Sequence, residues 1–176
     1  MPDAAGLELI AQELNDAHPD AVLGTYHERG QACLITDPEQ TLEVLGWLRD
    51  QPGQEYGFLA SLHGVDYLPA EPRFGVVYEL LNMPRVERLR VRAALADPGG
   101  DALPEIPTAV EVFPTAEFQE REAYDFFGIV FRGHPDLRRI LMPEDYEGWP
   151  QRRDFPIGGE PVIFTRDERQ VPRWFE

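Results

Sequence analysis

A chain of 176 residues is long enough for one domain with a hydrophobic core and too short for two domains of ordinary size. Its hydrophobic fraction of 43%, with 3 Trp, 6 Tyr and 10 Phe, excludes an intrinsically disordered protein. The formal net charge of −16 at pH 7 argues against nucleic acid or an anionic lipid surface as a direct partner. It favours a protein partner with basic patches.

A single cysteine and the absence of a long apolar run indicate the compartment. Cys33 stands between Ala32 and Leu34 and has no second cysteine, so we expect a small buried hydrophobe in a reducing compartment. No uninterrupted apolar stretch reaches the roughly 18 residues that a membrane-spanning helix needs. We therefore expect a cytosolic chain without direct membrane insertion, which associates with a membrane only through other proteins.

The first fifty residues predict a helix, a hairpin and a second helix. Apolar residues at helical spacing predict the first helix, and two runs around a glycine-containing turn predict the hairpin. An Asp-Pro pair followed by apolar residues at helical spacing predicts the second helix. The predicted ranges are 6–17 for the first helix, 20–27 and 31–36 for the hairpin, and 37–50 for the second helix.

The middle of the chain predicts three further strands. Residues 55–62 form a candidate strand that leads into a polar turn at 63–67, and residues 73–81 are apolar enough for an interior strand. Over 88–95, apolar residues alternate with arginines. This period of two predicts a strand with one apolar face and one basic face, which meets acidic groups or solvent.

These elements predict an α+β fold of two layers, in which helices lie on a mixed or antiparallel sheet of four or five strands. We expect a single domain over residues 1–142. Over 143–176, prolines and glycines recur too often for a regular element, yet aromatic residues such as Trp149 and Phe155 are present. We expect this irregular arm both to fold back on its domain and to dock on a partner protein.

A central helix is predicted over 116–127. Thr115 is a candidate N-cap, and Gly128 can end the helix in a left-handed conformation. Both faces of this helix carry apolar residues and acids, so it is covered either on two sides by its own chain or on one side by another protein. One face holds Ala116, Glu120, Ala123, Tyr124 and Phe127, and the opposite face holds Phe118, Glu122, Asp125 and Phe126.

Glu120 lies among apolar residues, where an unpaired charge is costly to desolvate. We therefore expect an arginine partner for Glu120, in an ion pair that stabilises the fold. The candidates are Arg138, Arg139, Arg152 and Arg153.

A second interpretation groups four of these side chains as a metal or acid–base cluster. Its members are Glu120, Glu122, His134 and Asp136. One imidazole without a nearby cysteine does not fit zinc, which takes three or four nitrogen or sulfur ligands. An oxygen-rich magnesium or calcium site fits these residue types better.

Three runs of sequence carry a resemblance to a known family. They are E-R-E-A-Y-D-F-F-G-I at 120–129, G-H-P-D-L-R-R-I-L at 133–141 and R-R-D-F-P at 152–156. In this order and spacing they resemble the signature of the C subunit of bacterial NADH-quinone oxidoreductase, respiratory complex I. Weaker similarity extends upstream through 64–67 and 74–80.

The resemblance implies a non-catalytic subunit of the peripheral arm, on the cytoplasmic side of the cell membrane. It implies contact with the D subunit, which forms the quinone cavity with the B subunit, and support for electron transfer from NADH to quinone. It implies no catalytic, cofactor-binding or metal-binding residue in this chain. The candidate structural and interface residues are Phe118, Glu120, Arg121, Glu122, Asp125, Phe126, His134, Asp136, Arg138, Arg139, Arg152, Arg153, Asp154 and Phe155.

Two other functions stay open at this point. One is a stand-alone metal-dependent hydrolase that uses the Glu120, Glu122, His134 and Asp136 cluster. The other is the equivalent scaffold subunit of a related membrane-bound hydrogenase complex.

Overall fold

The computed structural model of the chain describes residues 1–156, which contain three α-helices and seven β-strands. The helices are α1 (Ala4–Ala17), α2 (Thr41–Asp50, preceded by a 3-10 turn over Pro38–Gln40) and α3 (Ala116–Phe127). The strands are β1 (Val22–Glu28), β2 (Gln31–Thr36), β3 (Phe58–Asp66), β4 (Phe74–Asn82), β5 (Glu87–Leu95), β6 (Glu105–Pro107) and β7 (Val130–Arg132). Within residues 1–156, no helix combines the length and the hydropathy needed to cross a membrane.

Five strands form one sheet in the order β1-β2-β5-β4-β3. Neighbouring strands are antiparallel except for β2 and β5, which run parallel. A second, two-stranded sheet pairs β6 with β7 in parallel. The fold is therefore the predicted α+β fold, with a mixed sheet of five strands.

Local sequence signals explain where the first elements begin and turn. The Asp3 carboxylate accepts the N–H of Gly6 at 2.7 Å, so α1 begins earlier than the spacing of apolar residues predicts. In the β1–β2 turn Arg29 and Gly30 both have positive φ, 50° and 73°, as the turns favoured in two-residue hairpins require. Asp37 accepts an N–H two residues later and begins the 3-10 turn before α2.

The predicted polar turn at 63–67 is wrong, because β3 continues to Asp66. The polar residues are compatible with a strand for different reasons. His63 is exposed, whereas Asp66 is buried and forms an ion pair with Arg73 at 3.0 Å. The two side chains of this pair are only 1% and 8% exposed, so each charge satisfies the other away from water.

The sheet has one face covered by helices and one face that no helix covers within residues 1–156, which we call the open face. Leu62, Tyr78 and Val91 are in register on the covered face and belong to the buried core shared with the helices. The predicted basic face of β5 lies on the open face. There Arg90 contacts Glu79 of β4, and burial alternates along β5 as predicted.

At both edges of the sheet, side-chain amides form hydrogen bonds with backbone groups of the edge strand. At the β3 edge, the N–H of Leu62 donates to the Gln119 side chain of α3 at 2.5 Å. At the β1 edge, the Asn15 amide accepts from the N–H of Val22 at 2.9 Å and donates to its carbonyl at 3.3 Å. An edge strand otherwise offers these groups to another chain.

Gly64 provides a test of the contact between β3 and α3. A β-carbon at Gly64 would lie 2.6 Å from the Phe127 ring, whereas one at Gly46 in α2 would meet no atom within 4 Å. We expect Gly64→Ala to lower the free energy of unfolding by about 1 to 3 kcal/mol. Gly46→Ala, the matched control, should raise it by about 0.5 to 1 kcal/mol because alanine is the better helix former. Urea denaturation measures both, and wild-type stability of Gly64→Ala would contradict the close packing of α3 on β3.

Candidate interaction site

Helix α3 lies between β3 and the irregular segment 133–156, which we call the strap. Backbone atoms of the strap contact the helix at several points, among them the N–H of Gln151, which donates to the carbonyl of Phe126 at 3.2 Å. The helix is thus covered on two sides by its own chain, which is one of the two predicted alternatives. Residues 157–176 of the predicted arm lie outside the described residues.

The two ends of α3 differ in how well the sequence predicts them. Gly128 has φ 69° and ψ 31°, the predicted left-handed conformation, and a β-carbon there would lie 2.5 Å from the Trp149 indole. The predicted N-cap is wrong, because the Thr115 side chain makes no capping hydrogen bond. A turn replaces it, in which the N–H of Ala116 donates to the carbonyl of Phe113 at 2.8 Å.

Glu120 is fully buried, but the arginine partner predicted for it is wrong. Its carboxylate accepts hydrogen bonds from the Thr108 hydroxyl at 2.5 Å and from the N–H of Ala109 at 2.6 Å. Burial raises the pKa of Glu120 to about 7, against the opposing effect of these two hydrogen bonds. A carboxyl group that keeps its proton needs no counter-charge, which is why the cost of desolvation does not require an arginine here.

The arginine contact belongs to Asp125 instead. One carboxylate oxygen of Asp125 accepts from the Arg139 guanidinium at 2.8 Å. The other accepts three consecutive backbone N–H groups, at 3.0, 2.7 and 2.8 Å, from Ile140, Leu141 and Met142. Burial favours the protonated form of Asp125, but these hydrogen bonds outweigh burial and hold its pKa below the ordinary value.

Two further arginines bind backbone carbonyls. Arg121 of α3 is buried and donates to the carbonyls of Arg138 and Arg139 at 3.2 and 3.3 Å. Arg152 of the strap donates to the carbonyl of Phe127 at 2.7 Å, and burial lowers the pKa of its guanidinium. Helix and strap therefore exchange charged hydrogen bonds in both directions.

A second anchor of the strap is a charge network at Arg73, which sequence reasoning missed. The Arg73 guanidinium contacts the carboxylates of Asp66 at 3.0 Å, Asp97 at 2.8 Å and Asp154 at 2.7 Å. The N–H of Arg153 also donates to Asp66, at 2.9 Å. The available signal was an acid in the predicted turn after one strand and an arginine at the start of the next predicted strand.

The structure does not bring the proposed metal cluster together. The His134 ring contacts the carbonyl of Glu117 at 2.9 Å and accepts the N–H of Asp136 at 3.0 Å. Glu122 is exposed, whereas Glu120 is buried against Thr108 and Ala109. In the described part of the chain, no three His, Cys, Asp or Glu side chains are arranged to hold a metal ion.

The remaining aromatic candidates support the strap and α3. Phe126 is half-buried and lines, with His63 and Glu122, a cavity of about 190 Å³ between β3 and α3. Phe155 stacks on Tyr146 with ring centroids 6.3 Å apart.

Large apolar side chains are exposed on the outer surface of α3 and the strap. Phe118 and Leu141 are each 60% exposed, and Ile140 is 37% exposed. We call these three residues the apolar patch. Exposed charges accompany it at Glu122 and at Arg138, whose guanidinium pairs with an acid of the strap. Large exposed apolar side chains accompanied by exposed charges are typical of a surface that binds another protein.

Comparison with known proteins identifies the family. The family described as respiratory-chain NADH dehydrogenase, 30 Kd subunit, matches residues 34–161. The chain belongs to this family. Among members of the 30 Kd subunit family, the C subunit of NADH-quinone oxidoreductase from Herpetosiphon aurantiacus is 47% identical over 168 residues, 96% of this chain and 93% of that protein. The protein of the same name from Roseiflexus castenholzii is 44% identical over 92% of this chain and 91% of its own length.

The fold of the 30 Kd subunit family also occurs in a more distant solved structure. A chain of the membrane-bound sulfane sulfur reductase, an archaeal respiratory membrane complex, aligns with a TM-score of 0.66. The alignment covers 85% of both chains at 23% sequence identity. This similarity establishes the shared fold.

The buried Glu120 carboxyl predicts a specific pH dependence of stability. Its pKa of about 7 in the folded chain is higher than the value of about 4.3 in an unfolded chain, so the folded state binds the proton more tightly. The stabilisation is therefore fully present below pH 4 and is lost as the pH rises to about 7. Between pH 5 and 8, wild type should lose about 2 to 3 kcal/mol more than Glu120→Gln loses.

Denaturation at both pH values measures this difference. Glu122→Gln is the matched control, since Glu122 is an exposed glutamate of the same helix. It should follow the wild-type dependence. Identical pH dependence of Glu120→Gln and wild type would contradict the assignment.

Proposed function

We propose that this chain is the C subunit of an NADH-quinone oxidoreductase and acts there as a non-catalytic structural subunit. The observation that carries the proposal is the identity of 44% and 47% to two proteins of that name over most of both chains. The proposed role is to hold a surface of defined shape within the enzyme, while the redox chemistry takes place on other subunits.

The hydrogen bonds that the motif residues make within the chain support a structural role. Asp125 accepts backbone N–H groups, and Arg121 and Arg152 donate to backbone carbonyls of the same chain. A charged group whose hydrogen bonds are used in this way fixes the path of a loop. These contacts give the strap a defined conformation although it has no regular secondary structure.

The apolar patch is the proposed contact with the neighbouring protein. By resemblance to the family, this neighbour is the D subunit, with the B subunit beyond it at the quinone cavity. The arm over 143–176 is proposed to extend the same contact. The chain would then be held at the cytoplasmic side of the cell membrane through its neighbours.

Purification through a tag on this chain tests the proposal. We expect the tagged chain to bring down an assembly that oxidises NADH with a quinone acceptor. Recovery of a hydrogen-oxidising assembly without NADH-oxidising subunits would instead support the related hydrogenase role. A chain that purifies alone from solubilised membranes would contradict both.

A pair of substitutions tests the patch itself. We expect Phe118→Ser with Leu141→Ser to lower the yield of assembled enzyme by about tenfold or more, as loss of two central apolar contacts costs at least about 1.4 kcal/mol of binding. Leu9→Ser is the matched control, because Leu9 is 60% exposed, as are Phe118 and Leu141, and lies on α1. Denaturation should show that all three substitutions leave folding stability within about 0.5 kcal/mol. Wild-type yield of the double variant would contradict the proposed surface.

A further inference from the structure

The open face of the sheet is cationic in a chain whose net charge is −16. Arg88, Arg90 and Arg92 of β5 stand on this face in register with Leu81, Glu79 and Val77 of β4. Three of the four charged side chains that these two strands place there are therefore arginines, and Glu28 of β1, in register with Gln31 of β2, adds one acid to the face. The face differs in sign from the protein as a whole.

Arg88 is the member of this group whose side chain has no partner. Arg90 contacts Glu79 at 2.5 Å, and in the adjoining turn Arg85 contacts Glu87 at 2.8 Å. Arg92 has no acidic partner, but its guanidinium lies over the Tyr67 ring, 3.8 Å from the ring centroid. The Arg88 side chain is exposed and makes no hydrogen bond, ion pair or ring contact anywhere in residues 1–156. In a chain with 32 acidic and 16 basic residues, an exposed arginine whose side chain has no contact of its own is the cation that is available to an outside acid.

A concave site lies beside Arg88. A cavity of about 330 Å³ is lined there by Arg88, Arg90, Ser61, His63, Gln31 and Glu79, among others. The Glu79 carboxylate is paired with Arg90. The guanidinium, hydroxyl, imidazole and amide groups all supply hydrogen-bond donors. Several donors around one cation suit a carboxylate, which accepts several hydrogen bonds at once.

Apolar side chains flank the cavity on the same face. Phe58 is 47% exposed and stands in register with Leu81, which in turn is in register with Arg88. Aromatic residues next to arginine are enriched at protein interfaces. A small anion would leave the Phe58 ring in water, and nucleic acid would meet the repulsion of the net charge.

We propose that the open face binds an acidic segment of a neighbouring protein. A carboxylate of that segment binds Arg88, and apolar side chains of the same segment cover Phe58. The inference rests on the proposed function, in which this chain is one subunit of a larger assembly. The open face is on the opposite side of the sheet from the helix layer. This chain would therefore contact one neighbour through α3 and the strap and an acidic one through the sheet.

The absence of lysine from the sequence permits a direct test. Arg88→Lys keeps the charge and introduces a single side-chain amine, and a zero-length carbodiimide joins an amine only to a carboxylate in direct contact. The reaction is carried out on whatever assembly the tagged chain brings down. We expect a cross-link from residue 88 to an Asp or Glu of another protein of the assembly, located by mass spectrometry. In a separate experiment that acetylates free amines, residue 88 should be acetylated less in the assembly than in the isolated chain.

Arg29→Lys is the matched control, since Arg29 is exposed in the β1–β2 turn and does not line the cavity. It should give no such cross-link. A link from residue 88 only to its own chain, or an equal yield from the control, would overturn the inference. Protection from acetylation without any cross-link would indicate a small anion and overturn it as well. A chain that purifies alone contradicts this inference and the proposed function together, whereas an NADH-oxidising assembly without the link contradicts this inference only.

Discussion

The buried carboxylate of Asp125 is the interaction on which the outer surface of this protein depends. It accepts the Arg139 guanidinium on one oxygen and three successive backbone N–H groups, those of residues 140–142, on the other. The strap follows β7 and contains no helix or strand within the described residues. Few of its backbone groups therefore have the hydrogen-bond partners that regular secondary structure supplies. Side chains must satisfy these groups instead, because unpaired backbone groups away from water are costly. One aspartate of α3 therefore determines the path of the chain beside the helix.

The other anchors of the strap follow the same logic. Arg121 and Arg152 bind backbone carbonyls across the boundary between helix and strap, and Arg73 joins Asp154 to two acids of the sheet region. Ile140 and Leu141, directly bound by Asp125, are also two of the three exposed residues of the apolar patch. Internal charge pairing and external apolar exposure are thus properties of the same short segment. A partner that binds this patch meets a surface already ordered by its own chain.

The spacing of residues along the sequence predicts helices and strands, but it does not predict which distant side chains pair in three dimensions. The bounds of α3 and the alternating faces of β5 follow from the spacing of apolar residues, and Gly128 marks the left-handed end of the helix. The partner of Glu120 could not be predicted, because desolvation can be resolved by a proton as well as by an arginine. The burial of Asp66 at the end of a strand could not be predicted, because it depends on the ion pair with Arg73, which lies just before the next strand. The family resemblance identified the motif residues, but spacing alone did not show which acid meets which cation.

Hydrogen exchange of the strap amides tests the central role of Asp125 most directly. Asp125→Asn keeps the size of the side chain and replaces one accepting oxygen with a donor group. The account predicts that the amides of residues 140–142 exchange at least about tenfold faster in this variant, since a hydrogen bond to a charged group is worth about 1.5 kcal/mol or more. The amides of α1 should keep their wild-type rates, and Glu122→Gln should change neither set. Unchanged protection of residues 140–142 in Asp125→Asn would contradict the account.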